Sequence, residues 1–166
     1  TTEDFSVIEC EHCEFKHVVP LPTAQALEDV YSTDYYTEDK PFYIDNYLED
    51  IDWWNAVYKN RYEALENYLG GQVGSLLDVG SGPGLFLALG QTRGWQVKGV
   101  EPSKKAFDYS RTVLNLEVEN VFLDANNSKT LGSFDAVNMG EVLEHLPDPI
   151  KMLQIAKDLI KPNGLD

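Results

Sequence analysis

The stretch Leu76-Leu77-Asp78-Val79-Gly80-Ser81-Gly82-Pro83-Gly84 runs from apolar residues into three alternating glycines, with an acid two positions ahead of the first glycine. Without a Cβ, glycine lets a small ligand lie against the backbone, and a turn that opens a helix offers that ligand N–H groups. A tight turn that needs glycine only to pass from strand to helix is the plain alternative. Glu101 follows Gly80 by 21 residues and closes the next apolar run, which puts its carboxylate beside the glycine loop. There it can accept hydrogen bonds from both hydroxyls of a ribose; the alternative is a solvated acid at a strand end. Further along, Glu141, Glu144 and His145 stand close together, and an imidazole has the ordinary pKa suited to proton transfer near neutrality. Cys10 and Cys13 suit a metal or redox pair better than a disulfide framework. Tyr35, Tyr36, Trp53, Trp54 and Tyr58 carry aromatic faces that can meet a cation, although a stripe at helical spacing is more often core.

The elements that must hold these groups are legible in the apolar spacing. Leu48, Ile51, Trp54, Val57, Tyr58, Tyr62, Leu65 and Leu69 recur at three- and four-residue steps, which predicts one long amphipathic helix from about Asn46 to Leu69, ended by Gly70-Gly71. Beyond it, strands and helices alternate. Strands are predicted at Ser75 to Val79, Gln96 to Val100, Val118 to Leu123 and Phe134 to Met139. Helices are predicted from Leu85 to Arg93, from a Ser103 cap to about Leu114, and from Asp148 to Ile160, where Pro162-Asn163-Gly164 halts the chain. Repeated strand–helix units imply an α/β fold: a Rossmann-like, doubly wound, mainly parallel sheet with helices on both faces. Residues 1–45, with the Cys-x-x-Cys knuckle and a short helix from about Thr23 to Tyr31, read as an irregular and partly helical arm; residues 46–166 read as the ligand-binding domain. Ligands in such sheets sit at the carboxyl ends of the strands, where the glycines and acids stand.

Composition narrows the partners. The 166 residues hold 43% apolar and 25% charged residues, enough for one folded core with a short appendage. A net charge of −15 repels polyphosphate and anionic lipid, so neither nucleic acid nor a membrane is expected as partner. No apolar run approaches the roughly 20 residues needed to cross a bilayer, and the first 20 residues carry no basic stretch leading into an apolar one. A reducing cytoplasm is the expected location.

The ordered set Asp78-Val79-Gly80-Ser81-Gly82-Pro83-Gly84, Gly99-Val100-Glu101-Pro102-Ser103, Phe122-Leu123-Asp124-Ala125, Phe134 to Pro149 and Leu159-Ile160-Lys161-Pro162-Asn163-Gly164 resembles the class I S-adenosylmethionine-dependent methyltransferases. The likeness covers about residues 74 to 164. It implies S-adenosylmethionine as cofactor, with Asp78 at the methionine ammonium, and Gly80, Ser81, Gly82 and Gly84 along the methionine portion. It implies Glu101 and Pro102 at the ribose, Asp124 and the Ala125 backbone at the adenine, and Met139 and Gly140 at the methionine end and the floor of the substrate site. His145 and Glu141 are the candidate bases, if the acceptor carries a proton that must leave; packing of the Glu-His-Leu-Pro loop is the competing role.

The function expected is methyl transfer to a small-molecule acceptor by in-line displacement. A nicotinamide-dependent oxidoreductase is disfavoured by Leu85, where the dinucleotide fingerprint wants glycine, and by Asp78 ahead of the loop. A non-catalytic adenosine-binding module is the other alternative. The arm resembles the second half of a zinc ribbon that precedes some methyltransferases. With no further cysteines in the chain, no metal site is expected and the pair is read as free thiols. The resemblance makes the chain incomplete at its C-terminus, which leaves the strand Phe134 to Met139 at an open edge and a homodimer through that edge as the expectation.

Overall fold

The computed structural model describes residues 6–11, 16–20, 23, 25–26 and 42–165. Strands β1 (Ser6–Glu9) and β2 (Lys16–Val19) form an antiparallel hairpin with Ser6 opposite Val19, where the sequence predicts irregular chain. Val7-Ile8 and Val18-Val19 are β-branched pairs on either side of the knuckle, and that composition favours pairing. Cys10 belongs to the described residues; His12, Cys13, Tyr35, Tyr36 and most of the predicted helix from Thr23 to Tyr31 lie outside them.

The predicted long helix is two helices, α1 (Tyr43–Glu49) and α2 (Ile51–Tyr68), joined at Asp50 with φ −98° and ψ 19°. Aspartate is a weak helix former, and Glu49, Asp50 and Asp52 crowd like charges at this point. The break lets Tyr47 of α1 stack on Trp54 of α2, with ring centres 4.4 Å apart and planes 9° from parallel. Gly70 and Gly71 end α2 at positive φ, and the Gly71 N–H donates to the Glu66 carbonyl at 2.8 Å.

The remaining elements are β3 (Ser75–Val79), α3 (Leu85–Thr92), β4 (Gln96–Val100), α4 (Lys104–Thr112), β5 (Val118–Glu119), α5 (Ser128–Leu131), β6 (Phe134–Asn138), α6 (Pro149–Asp158) and β7 (Ile160–Leu165). The sheet runs in the order β5-β4-β3-β6-β7 with all neighbours parallel. Alternation within β3 divides the core. Leu76 faces Tyr58, Tyr62, Phe86 and Leu87 of α2 and α3, whereas Leu77 and Val79 face Leu131, Ile155 and Leu159 on the other side. Helices therefore cover both faces, as a parallel sheet requires. The chain steps outward from β3 to β5, then returns to place β6 on the opposite flank of β3. This reversal opens a crevice above the carboxyl ends of β3, β4 and β6.

Two predicted elements differ at that end. The third strand is two residues long rather than six. Val121 N–H turns back to the Glu119 carbonyl at 3.1 Å, and the Asn120 amide reaches across to the Glu101 and Pro102 carbonyls, both at 2.8 Å. Val121 to Leu123 thus leave the sheet and line the crevice. The second difference is β7, which occupies the residues read as a helix stop. Ile160 pairs with Phe134 and Leu165 with Ala136 across an irregular register, so β6 is not an open edge and the basis for a dimer through it is removed. Pro162 is tolerated because β7 itself is the edge strand.

Candidate functional site

A cleft of about 460 Å³ occupies the crevice, lined by the glycine loop, by residues 140–142 and 145–147, and by the aromatic rings of α1 and α2. Asp78, near the end of β3, and Glu101, the residue that follows β4, are 4% and 3% exposed. Glu101 is held from two sides: Gly82 N–H donates to one carboxylate oxygen at 2.7 Å and Ser103 N–H to the other at 2.8 Å. Each oxygen keeps a further lone pair for a ligand donor. Burial pushes the Glu101 carboxyl up to about 7, against the pull of the Ser103 and Gly82 N–H groups. Burial likewise raises Asp78 to about 7, opposed by the Asn138 amide and the Arg61 charge and reinforced by the charge on Glu101. Asn138 donates to Asp78 at 2.6 Å.

The glycine loop is held by its own backbone, with Gly80 and Ser81 N–H donating to the Val100 carbonyl at 2.8 and 3.2 Å. Gly80, Ser81, Gly82, Pro102, Asp124, Gly140, Glu141 and His145 all line the cleft. Among the described residues, the Ser81 hydroxyl is the one buried side-chain oxygen or nitrogen without a hydrogen-bond partner. Asp124 is exposed at the mouth and ties its own loop, accepting from Asn126 and Asn127 N–H at 2.7 and 2.8 Å. The Asn127 N–H leads the causes that hold this carboxyl below its ordinary range. Glu141 adopts φ +57°, unusual for a residue with a side chain, and begins the turn that carries His145 over the floor.

Three predicted contact residues stand outside the cleft wall. Gly84 caps α3 with φ +86°, and a Cβ there would meet Leu116 Cδ1 at 2.6 Å; its glycine serves helix packing instead. Met139 packs in the core on the α6 face, and Ala125 is exposed on the loop beyond Asp124. Trp53 points outward, 60% exposed, whereas Trp54 and Tyr58 do line the cleft. Their rings stack with each other and with Tyr47, so part of the aromatic surface predicted to meet a cation is spent on neighbouring rings.

Sequence reasoning misses Arg61, Asn138, Tyr43 and Tyr47. Arg61 follows Trp54 and Tyr58 at steps of four and three, so a cation interrupting that stripe was the available signal. It lies over Gly140, where a Cβ would sit 3.2 Å from Nη1. Asn138 is the partner of Asp78 in the β3–β6 register, which only the strand order reveals.

A family described as a methyltransferase domain matches residues 53–165, more than half of the chain. The chain belongs to this methyltransferase-domain family. A ubiquinone biosynthesis O-methyltransferase from Alkalilimnicola ehrlichii is 36% identical over 110 residues, which cover 63% of this chain and 44% of the relative. The chain thus spans less than half the length of that relative. Among solved structures, the plantazolicin methyltransferase BpumL in complex with SAH superposes with a TM-score of 0.61 at 17% identity, covering 82% of this chain and 54% of its own. The N-terminal domain of EvdMO1 with SAH bound gives 0.54 at 23% identity, covering 62% and 46%. At these identities the two structures support the Rossmann-like methyltransferase fold alone.

Proposed function

We propose that this methyltransferase domain binds S-adenosylmethionine and serves an enzyme that methylates a small molecule. The observation that carries the reading is the Glu101 carboxylate, fixed by Gly82 and Ser103 N–H with a lone pair left on each oxygen for a pair of ribose hydroxyls. A zwitterionic amino-acid end needs an anion and a cation, and Asp78 and Arg61, which both line the cleft, supply them. Gly80, Ser81 and Gly82 shape the floor beneath the methionine portion, and Gly140 offers backbone at its end. Pro102 sits beside the ribose, Val121 to Leu123 supply apolar contact for the adenine, and Asp124 meets its amine at the mouth. Bound there, the cofactor supplies an electrophilic methyl group on a sulfonium.

The groups left over define the acceptor side. Tyr43, Tyr47 and Trp54 form one wall and Glu141 with His145 the other. Holding an acceptor in line between them supplies most of the acceleration available to such a displacement. His145 or Glu141 takes the proton when the acceptor is a hydroxyl, a choice supported by the name of the Alkalilimnicola relative, an O-methyltransferase. A cleft of this volume and a net charge of −15 favour a small molecule over nucleic acid. Among the described residues no helix is long and apolar enough to cross a membrane; a pair of cysteines with no disulfide framework around it favours a reducing cytoplasm.

The test is transfer of a labelled methyl group from S-adenosylmethionine with small-molecule extracts, RNA and protein as acceptors. Label should enter the small-molecule fraction. Label confined to RNA or protein contradicts the acceptor class.

A further inference from the structure

Asn138 closes the inward face of β6, two residues after the buried Ala136, where an apolar residue would continue the pattern more cheaply. Its amide lies 2.6 Å from one oxygen of Asp78, its register partner on β3. The ionised form of Asp78 can only accept, and against it the amide presents its nitrogen. Asn138 and Asp78 both line the cleft, and among the described residues the Asn138 amide is the only hydrogen-bond partner of the Asp78 side chain.

We propose that Asn138 is a positioning residue: its N–H holds one oxygen of the Asp78 carboxylate so that the other faces the cleft and takes the ammonium group of the methionine portion of the cofactor. The proposal rests on the S-adenosylmethionine reading of the cleft. An amide that donates to the charged form lowers the cost of keeping a carboxylate in a buried place. The charged and titratable groups that face Asp78 are Glu101 at the end of β4 and Arg61, Tyr58 and Tyr62 of α2, with Glu141 and His145 in the wall opposite. Of these, Arg61 alone bears a fixed positive charge, and it is also needed for the carboxylate of the same amino-acid end. Asn138 therefore supplies the stabilisation that leaves Arg61 available.

Two variants and two readouts test this. Asn138→Ala removes the donor, and Asn138→Asp keeps the shape but makes a carboxyl pair that shares a proton. Carboxyl-carbon NMR titration of Asp78 in the ligand-free chain should show its midpoint moved up in Asn138→Ala. In Asn138→Asp the titration should split into two steps, the upper one above the parent's midpoint. Calorimetry with S-adenosylhomocysteine at pH 7 should show Asn138→Ala weakened roughly 10- to 100-fold, the size expected for losing a hydrogen bond to a charged group. Asn138→Asp, where one protonated oxygen donates to the other, should stay within a few-fold of the parent. An unchanged Asp78 midpoint in both variants, with parent-like affinity, overturns the role of Asn138 while leaving the cofactor reading intact. A parent chain that does not bind S-adenosylhomocysteine at any pH overturns the cofactor reading, and with it the role assigned to the second oxygen.

Discussion

Glu101 does two tasks with one carboxylate, and substitution separates them. In Glu101→Gln the amide NH2 must face the N–H of either Gly82 or Ser103, two donors set against each other, and one acceptor for a ribose hydroxyl is lost. Titration with S-adenosylhomocysteine should show a loss of about 1.5–3 kcal/mol, and more for Glu101→Ala, which strands both N–H groups. Parent-like binding by both variants would reduce Glu101 to a loop tie. The same two acids make a pH prediction. Asp78 and Glu101 titrate near 7 in the folded chain, above their ordinary values of 3.8 and 4.5. Each therefore binds more protons folded than unfolded, and the stability of the ligand-free chain should fall as pH rises from about 4 to about 7. Affinity for S-adenosylhomocysteine should run the other way, rising between pH 6 and pH 8 as the acceptors ionise. Melting curves of the ligand-free chain and titrations at pH 6, 7 and 8 check both signs. At this scale the acids were legible in the sequence because strand ends in α/β sheets are where ligands sit. Asn138 was not, since an amide in a strand acquires meaning only through what stands opposite it, and Arg61 showed only as a cation interrupting an aromatic stripe.

Helix α3 packs on α2 through Phe86, which meets the rings of Tyr58 and Tyr62, and through Gly90, which faces the Tyr62 hydroxyl. A Cβ at Gly90 would collide with the Tyr62 hydroxyl oxygen and lie 2.5 Å from Cζ, and that hydroxyl donates to the Phe86 carbonyl at 3.1 Å. Gly90→Ala should cost about 1–3 kcal/mol by overpacking, less the gain in helix propensity, and Tyr62→Phe in the same chain should recover part of it by removing the nearest atom. Denaturant midpoints of the two single variants and the double variant check the coupling; strict additivity would mean the helices separate to make room. At the other end of the sheet, Asp135 joins β6 to its neighbours, accepting from Ser75 N–H at 2.7 Å, Ser75 Oγ at 2.8 Å and Lys161 Nζ at 2.8 Å. Lys161 leads the causes that hold its carboxyl at about 2, so the stability it contributes is present above its ordinary value near 4 and is lost as pH falls toward 2. Asp135→Asn should lower the melting temperature at pH 7, and the gap should close near pH 2. The sequence marks β3, α3 and β4 well because the apolar runs of β3 and α3 end at Gly80 and Gly94 and that of β4 ends at Glu101-Pro102. It misses the break at Asp50, the early exit of β5 and the edge strand β7. A helix pattern continues across one unfavourable residue, Asn120 leaves the sheet through a side-chain reach, and Pro-Asn-Gly reads as a stop wherever no neighbouring strand is known.

Over the whole molecule, the acidic balance and the sheet reversal point to the same use. Net charge of −15 sets the surface against polyanions, while the cleft at the reversal gathers Asp78, Glu101, Arg61 and the glycine floor into one compartment. The family match over residues 53–165 covers Asp78, Glu101, Arg61 and the glycine floor and leaves Tyr43 and Tyr47 of α1 and the β1–β2 hairpin outside it. The claim on which all of this depends is that the compartment takes an S-adenosyl ligand in preference to a dinucleotide. Thermal shift of the chain with S-adenosylhomocysteine and with NAD, side by side, tests it most directly. At about 100 times its dissociation constant S-adenosylhomocysteine should stabilise the fold by about 2.7 kcal/mol, a rise of roughly 5–10 °C for a chain of this size, and NAD should leave the melting temperature unchanged. A rise with NAD and none with S-adenosylhomocysteine would contradict the account.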